Sequence, residues 1–125
     1  MKVEVSNGEI VDKMTILQIK SEKIDDPVKV KNILNEISSI EDSFLSISSY
    51  EDPLYWELKT INRELWKIED DIREKERDHR FDDEFISLAR NVYIINDKRA
   101  LTKHNINMKT NSNLIEEKSY AGYEK

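Results

Sequence analysis

A chain of 125 residues with two glycines, two prolines and no cysteine is one domain's worth of sequence. It is too poor in turn residues for an all-β fold, and it lacks thiols for disulfides, metal sites or cysteine catalysis. A net charge of −6 opposes non-specific nucleic-acid binding.

No apolar leader follows Met1-Lys2-Val3-Glu4, and no run approaches the length of a bilayer span. The expectation is a cytoplasmic chain without membrane contact. Charge is unevenly spread, at −9 over residues 1–85 and +4 over residues 86–109. The simplest use of that asymmetry is internal, with a basic helix against acidic neighbours.

The chain opens on an extended arm over residues 1–5. Ser6-Asn7-Gly8-Glu9 then reads as a capping box, in which the Ser6 hydroxyl accepts the Glu9 N–H and the Glu9 carboxylate reaches back. It predicts a first helix over about residues 8–24. Ile10, Met14, Leu17 and Ile24 share a face, while Val11, Ile16 and Ile19 spread around the cylinder, the pattern of a central helix.

Asp26-Pro27 and Asp52-Pro53 each pair a capping carboxylate with proline at the first helical position. Helix two is therefore expected over 27–46, with Val30, Ile33, Ile37, Ile40, Phe44 and Ile47 on its seam. Helix three, over 53–78, carries a strict heptad seam of Leu54, Leu58, Ile61, Leu65, Ile68 and Ile72, and the other helices are expected to lie beside it. Asp82-Asp83-Glu84 places carboxylates at the start of helix four, over 83–107. The short connection between helices three and four implies an antiparallel hairpin. Residues 108–125 read as an irregular tail with one helical turn near Leu114–Lys118. Together these features predict a single all-α domain of antiparallel long-helix hairpins forming an elongated bundle.

Helix four contains an anomaly. Phe85, Leu88, Val92 and Ile95 continue an apolar seam, but Asn96, Arg99, Lys103 and Asn107 lie on or beside the same face. Either the helix passes from one neighbour to another or its second half lines a polar pocket. In the structural reading, Arg99 makes a register-setting ion pair with Glu57 or Glu64 on helix three. In the ligand reading, Asn96, Arg99 and Lys103 join Asp12 and Lys13, just inside helix one, as an anion or metabolite site. The opposite stripe of Ile94, Leu101 and Met108, with Trp56 on helix three, forms a candidate interface for a homo-oligomer.

Catalytic and metal motifs are weak. Glu76-x-x-His79 is half of a di-iron helical pattern whose second copy is absent. The run Glu69-Asp70-Asp71 points toward Mg²⁺-dependent nucleotide hydrolysis, as in all-helical pyrophosphohydrolases. That chemistry needs matched carboxylates on a facing helix, and Glu22-x-x-Asp25 is only a weak mate. A mutase resembling chorismate mutase would draw on Arg90, Arg99, Lys103 and Lys13, again without a strong spacing signal. No catalytic residue, metal site or cofactor is assigned.

Ser6-Asn7-Gly8-Glu9-Ile10-Val11-Asp12-Lys13-Met14-Thr15-Ile16-Leu17, Leu65–Arg73, Asn96–Ala100 and Glu117-Lys118-Ser119-Tyr120 resemble an uncharacterised family of small bacterial all-helical proteins. The resemblance spans almost the full chain and implies no established activity. Some members of that family accompany glycosyltransferase or surface-polysaccharide genes, so it implies an accessory role beside a protein partner in glycan assembly. The reading is a non-catalytic interaction module. The alternative is a small helical enzyme or anion-binding protein with its site on the C-terminal half of helix four.

Overall fold

The computed structural model describes residues 1–124, which form four helices and no strand. They are α1 (Asn7–Lys23), α2 (Pro27–Ile47), α3 (Pro53–Arg77) and α4 (Asp83–Lys109). Each begins as its capping residue requires. Ser6 Oγ accepts from Glu9 N, Asp26 from Val28 and Lys29, Asp52 from Leu54, and Asp82 from Phe85. The expected helical turn at Leu114–Lys118 does not form, and residues 113–124 run as irregular chain.

With hardly any glycine, α3 and α4 end on other residues in the left-handed region, His79 (φ 51°) and Asn111 (φ 52°). Behind α3, the amide of His79 donates to Glu76 O and that of Arg80 to Lys75 O; behind α4, Asn111 donates to Met108 O and Ser112 to Asn107 O. Both ends are Schellman closures that satisfy otherwise unpaired carbonyls.

The hub is α1 rather than α3, because α1 lies alongside all three other helices, whereas α2 lies alongside α1 alone and reaches α3 through the Phe44 ring against Tyr55. A helix with apolar residues on several sides can take several neighbours, and Val11, Met14, Leu17 and Ile19 are all buried. Its core joins Val11 and Met14 to Phe44 of α2, Tyr55 and Leu58 of α3 and Ile106 of α4. Phe44, Tyr50 and Tyr55 pack as a cluster of rings with centroids 5.1–5.7 Å apart.

α3 and α4, about 37 and 40 Å long at 1.5 Å per residue, outrun α1. Beyond it they make a two-helix arm with its own core of Ile61, Ile68 and Ile95, flanked by Leu65, Ile72, Leu88 and Val92. At the far end Lys75 Nζ bonds Asp82 at 2.9 Å and Glu84 at 3.1 Å, tying the hairpin shut.

Candidate functional site

The change of character along α4 follows from this geometry. Up to Ile95 its inner face meets apolar α3; beyond Ile95 it also meets α1, and polar groups fill the three-helix junction. Helix α1 presents Asp12 there, with only 1% of its surface exposed. Arg99 Nε donates to Asp12 Oδ1 at 3.0 Å, and Nη2 donates to Oδ2 at 2.5 Å. This fork is the geometry for which arginine is suited. The neighbouring carboxylate raises the Arg99 pKa against the opposing effect of burial.

Arg99 therefore pairs with α1, not with Glu57 or Glu64 of α3. Both glutamates sit on an exposed face, and Glu57 instead accepts a 3.3 Å bond from Thr102. Lys103, one turn on, pairs with Glu9 at 2.6 Å and lies 3.9 Å from Asp12. The carboxylate of Glu9 thus leaves the capping box and crosses to α4. Asp12, Arg99 and Lys103 are brought together as the sequence suggests. Lys13 is not with them: a residue step turns a helix by about 100°, and its ammonium lies 3.4 Å from Glu36 on α2.

Asn62 completes the junction from α3. Its amide nitrogen donates to Asp12 Oδ1 and to Thr15 Oγ1, both at 2.8 Å. The Thr15 hydroxyl spends its proton on Asp12 O at 2.7 Å, so it can only accept from Asn62. The orientation of the Asn62 amide is therefore fixed by chemistry. A lone asparagine at the flank of an apolar heptad seam was its sequence signal. Near the other end of α1, Glu22 binds Arg63 at 2.8 Å and Lys59 at 3.2 Å.

The N-terminus of α1 is filled by the chain itself. Asn7 N donates to Ser112 Oγ at 2.9 Å, Gly8 N to Asn107 Oδ1 at 2.6 Å, and Glu9 N to Ser6 Oγ at 3.1 Å. These are the orphan donors at which an external anion would bind. Ser6 Oγ and Asn107 Nδ2 in turn donate to the two oxygens of Glu116. The tail then runs back along α4, where Lys118 pairs with Asp97 and Tyr123 packs edge-on against Tyr93 at 5.3 Å.

A depression of about 700 Å³ lies between α4 and the tail, lined by Asn96, Lys103, Asn107 and Glu116 among others, and two smaller ones lie nearby. One, of about 470 Å³, lies between α1, α3 and α4 and is lined by Asn62, Trp66, Asn96 and Arg99 among others. The second, of about 520 Å³, lies on the outer face of α3 and α4 and brings Trp56 and Leu101 to one surface beside Pro53 and Lys98. Trp56 is 46% exposed and its indole N–H is bonded to Tyr50 O at 2.7 Å; Leu101 is 61% exposed. Met108 is also exposed, two turns along α4 from Leu101, whereas Ile94 is half-buried. Among the described residues no group of three His, Cys, Asp or Glu side chains is placed to hold a metal, and no helix is long and apolar enough to cross a membrane.

Fold and junction together define an all-helical protein whose interior charges are matched within one chain. The model of a family of unknown function, DUF6165, matches residues 1–123, and the chain belongs to that family. No curated protein and no solved structure matches it.

Proposed function

We propose that this chain is a non-catalytic, cytoplasmic interaction module that self-associates through the outer face of α3 and α4. The observation that carries this reading is the contrast between its internally paired polar junction and the two large apolar side chains left exposed on the outer face of α3 and α4. Inside, Asp12, Arg99, Lys103, Glu9 and Asn62 bond one another, which leaves none of them poised as a free acid, base or nucleophile. Outside, Trp56 and Leu101 stand exposed around one depression.

That face suits a second copy of itself. Its α3 rim carries Glu57 and Glu64, and its α4 rim carries Lys98. A twofold axis through the depression and parallel to the helices sets each α3 against the partner's α4, so acidic and basic rims meet around the apolar centre. A protein partner in glycan assembly would then be engaged by the assembled dimer. Sedimentation at micromolar concentration tests the reading. A dimer is expected, and Leu101→Glu is expected to give a monomer of unchanged helicity; a wild-type monomer across that range overturns it.

A further inference from the structure

The depression between α1, α3 and α4 has a chemistry that self-association does not use. Its apolar walls are Ile16, Ile19, Leu65 and the indole of Trp66, and Asn62 and Arg99 stand beside them. Asn62 is 6% exposed, and both its N–H groups are committed to Asp12 and Thr15. Its carbonyl oxygen receives no donor among the described residues. No fully buried side-chain oxygen among the described residues lacks a partner, so this carbonyl is not sealed from solvent, and Asn62 lines the depression. Arg99 uses Nε and Nη2 on Asp12 and is 30% exposed, which leaves its Nη1 donors uncommitted. Asn62 and Arg99 bond the same oxygen of Asp12, at 2.8 and 3.0 Å, so the unpaired acceptor and the uncommitted donor belong to neighbouring side chains that line one depression.

We infer that this depression binds a small, uncharged, planar molecule whose edge carries an N–H next to a C=O, as a nucleobase does. The N–H meets the Asn62 carbonyl, the C=O meets Arg99, and the flat face lies against Trp66 and the aliphatic walls. The volume of about 470 Å³ suits a ligand of that size. Charge excludes the anion that a lone arginine would suggest. Arg99 is neutralised by Asp12, and Arg73 lies 3.3 Å from Glu69 at the rim, where Asp70 adds a further negative charge.

The test is titration of the full chain, wild type, with uridine, followed by the indole and side-chain amide signals in ¹H–¹⁵N NMR. Saturable shifts are expected at the Trp66 indole and the Asn62 amide. The Trp56 indole, bonded to Tyr50 O on another face, should stay still. 3-Methyluridine, whose ring N–H is blocked, should bind at least about tenfold more weakly because it leaves the Asn62 carbonyl unpaired. Inorganic phosphate should shift neither signal. Absence of shifts up to about 10 mM uridine, well past weak millimolar binding, overturns the inference. So does equal binding of the methylated compound, or a response to phosphate alone. The readout does not depend on self-association, so its failure leaves the dimer standing, and a monomer can still bind.

Discussion

Gly8 stands so close to α4 that a Cβ at its position would lie 2.5 Å from the carbonyl oxygen of Lys103 and 2.9 Å from Asn107 Oδ1. The contact is between backbones, and Gly8 N already bonds Asn107 at 2.6 Å. This glycine sets the distance at which α1 lies on α4, and hence whether Asp12 can meet Arg99.

Gly8→Ala therefore tests the packing. Helix propensity alone would favour alanine by up to about 1 kcal/mol, but the atom to be displaced is a backbone carbonyl. Overpacking of this kind costs about 1–3 kcal/mol, so a net loss of about 1–2 kcal/mol is expected from denaturant midpoints. Gly122→Ala, where nothing lies within 4 Å, should be neutral. A stabilised Gly8→Ala protein would refute the close approach.

The Asp12–Arg99 pair makes the second prediction. Arg99→Ala strands a carboxylate that is 1% exposed and should cost about 3 kcal/mol, the low end for a broken buried pair, because Asn62 and Lys103 remain nearby. The Asp12→Ala, Arg99→Ala double variant should lose clearly less than the two single losses added. Arg99→Lys should not restore stability, since one ammonium cannot fork across two oxygens. Glu64→Gln should change little, its side chain lying on the exposed face of α3. Additive losses in the double variant would show that the two side chains do not depend on each other.

How much of this is legible in the sequence differs between elements for physical reasons. Caps are local, so Asp26-Pro27, Asp52-Pro53 and Asp82 place three helix starts within their own few residues. The heptads of α3 and α4 likewise announce the hairpin arm through Ile61, Ile68 and Ile95. The partner of Arg99 is not local. Glu57 and Glu64 face it in a two-helix register, but Asp12, 87 residues away, lies on a third helix whose docking depends on Gly8. Glu116 carries no sequence signal for the same reason: its bonds to Ser6 and Asn107 join the tail to the start of α1 and the end of α4, which meet at one end of the bundle. The left-handed end at His79 is hidden because neither usual marker of such a residue, glycine or asparagine, stands there, whereas Asn111 carries one.

Those helix ends give the third prediction. His79 holds φ at 51°, a conformation that costs a side-chain-bearing residue energy and costs glycine none. His79→Gly should stabilise the protein by about 0.5–1 kcal/mol in thermal or denaturant unfolding, after allowing for the freer unfolded chain. Arg77→Gly, two residues earlier and still helical, should instead destabilise by about 1 kcal/mol. A loss in both would mean that the Schellman closure is not what ends α3.

The last prediction concerns Glu116 and pH. Burial pushes its carboxyl upward, but the hydrogen bonds from Ser6 and Asn107, with the charge of Lys103, outweigh that push and hold it below the usual carboxylate range. The unfolded or released tail therefore takes up a proton before the docked tail does. Docking is favoured by this group above the usual carboxylate pKa, and the benefit drains away as pH falls toward the lowered value of the docked state. In NMR at acid pH, the amides of Gly122 and Tyr123 should move together toward positions typical of free chain while α1–α4 stay folded. Tyr93, against which Tyr123 packs at 5.3 Å, should report the same midpoint from the helix side. Glu116→Gln should abolish that transition and leave the tail signals nearly independent of pH. Glu22, also held low, chiefly by its hydrogen bond to Arg63, titrates at the α1–α3 contact and supplies an internal comparison. If Glu116→Gln keeps the tail transition unchanged, the strap is held by Lys118 and Tyr123 instead of by the bonds that join it to the N-terminus of α1.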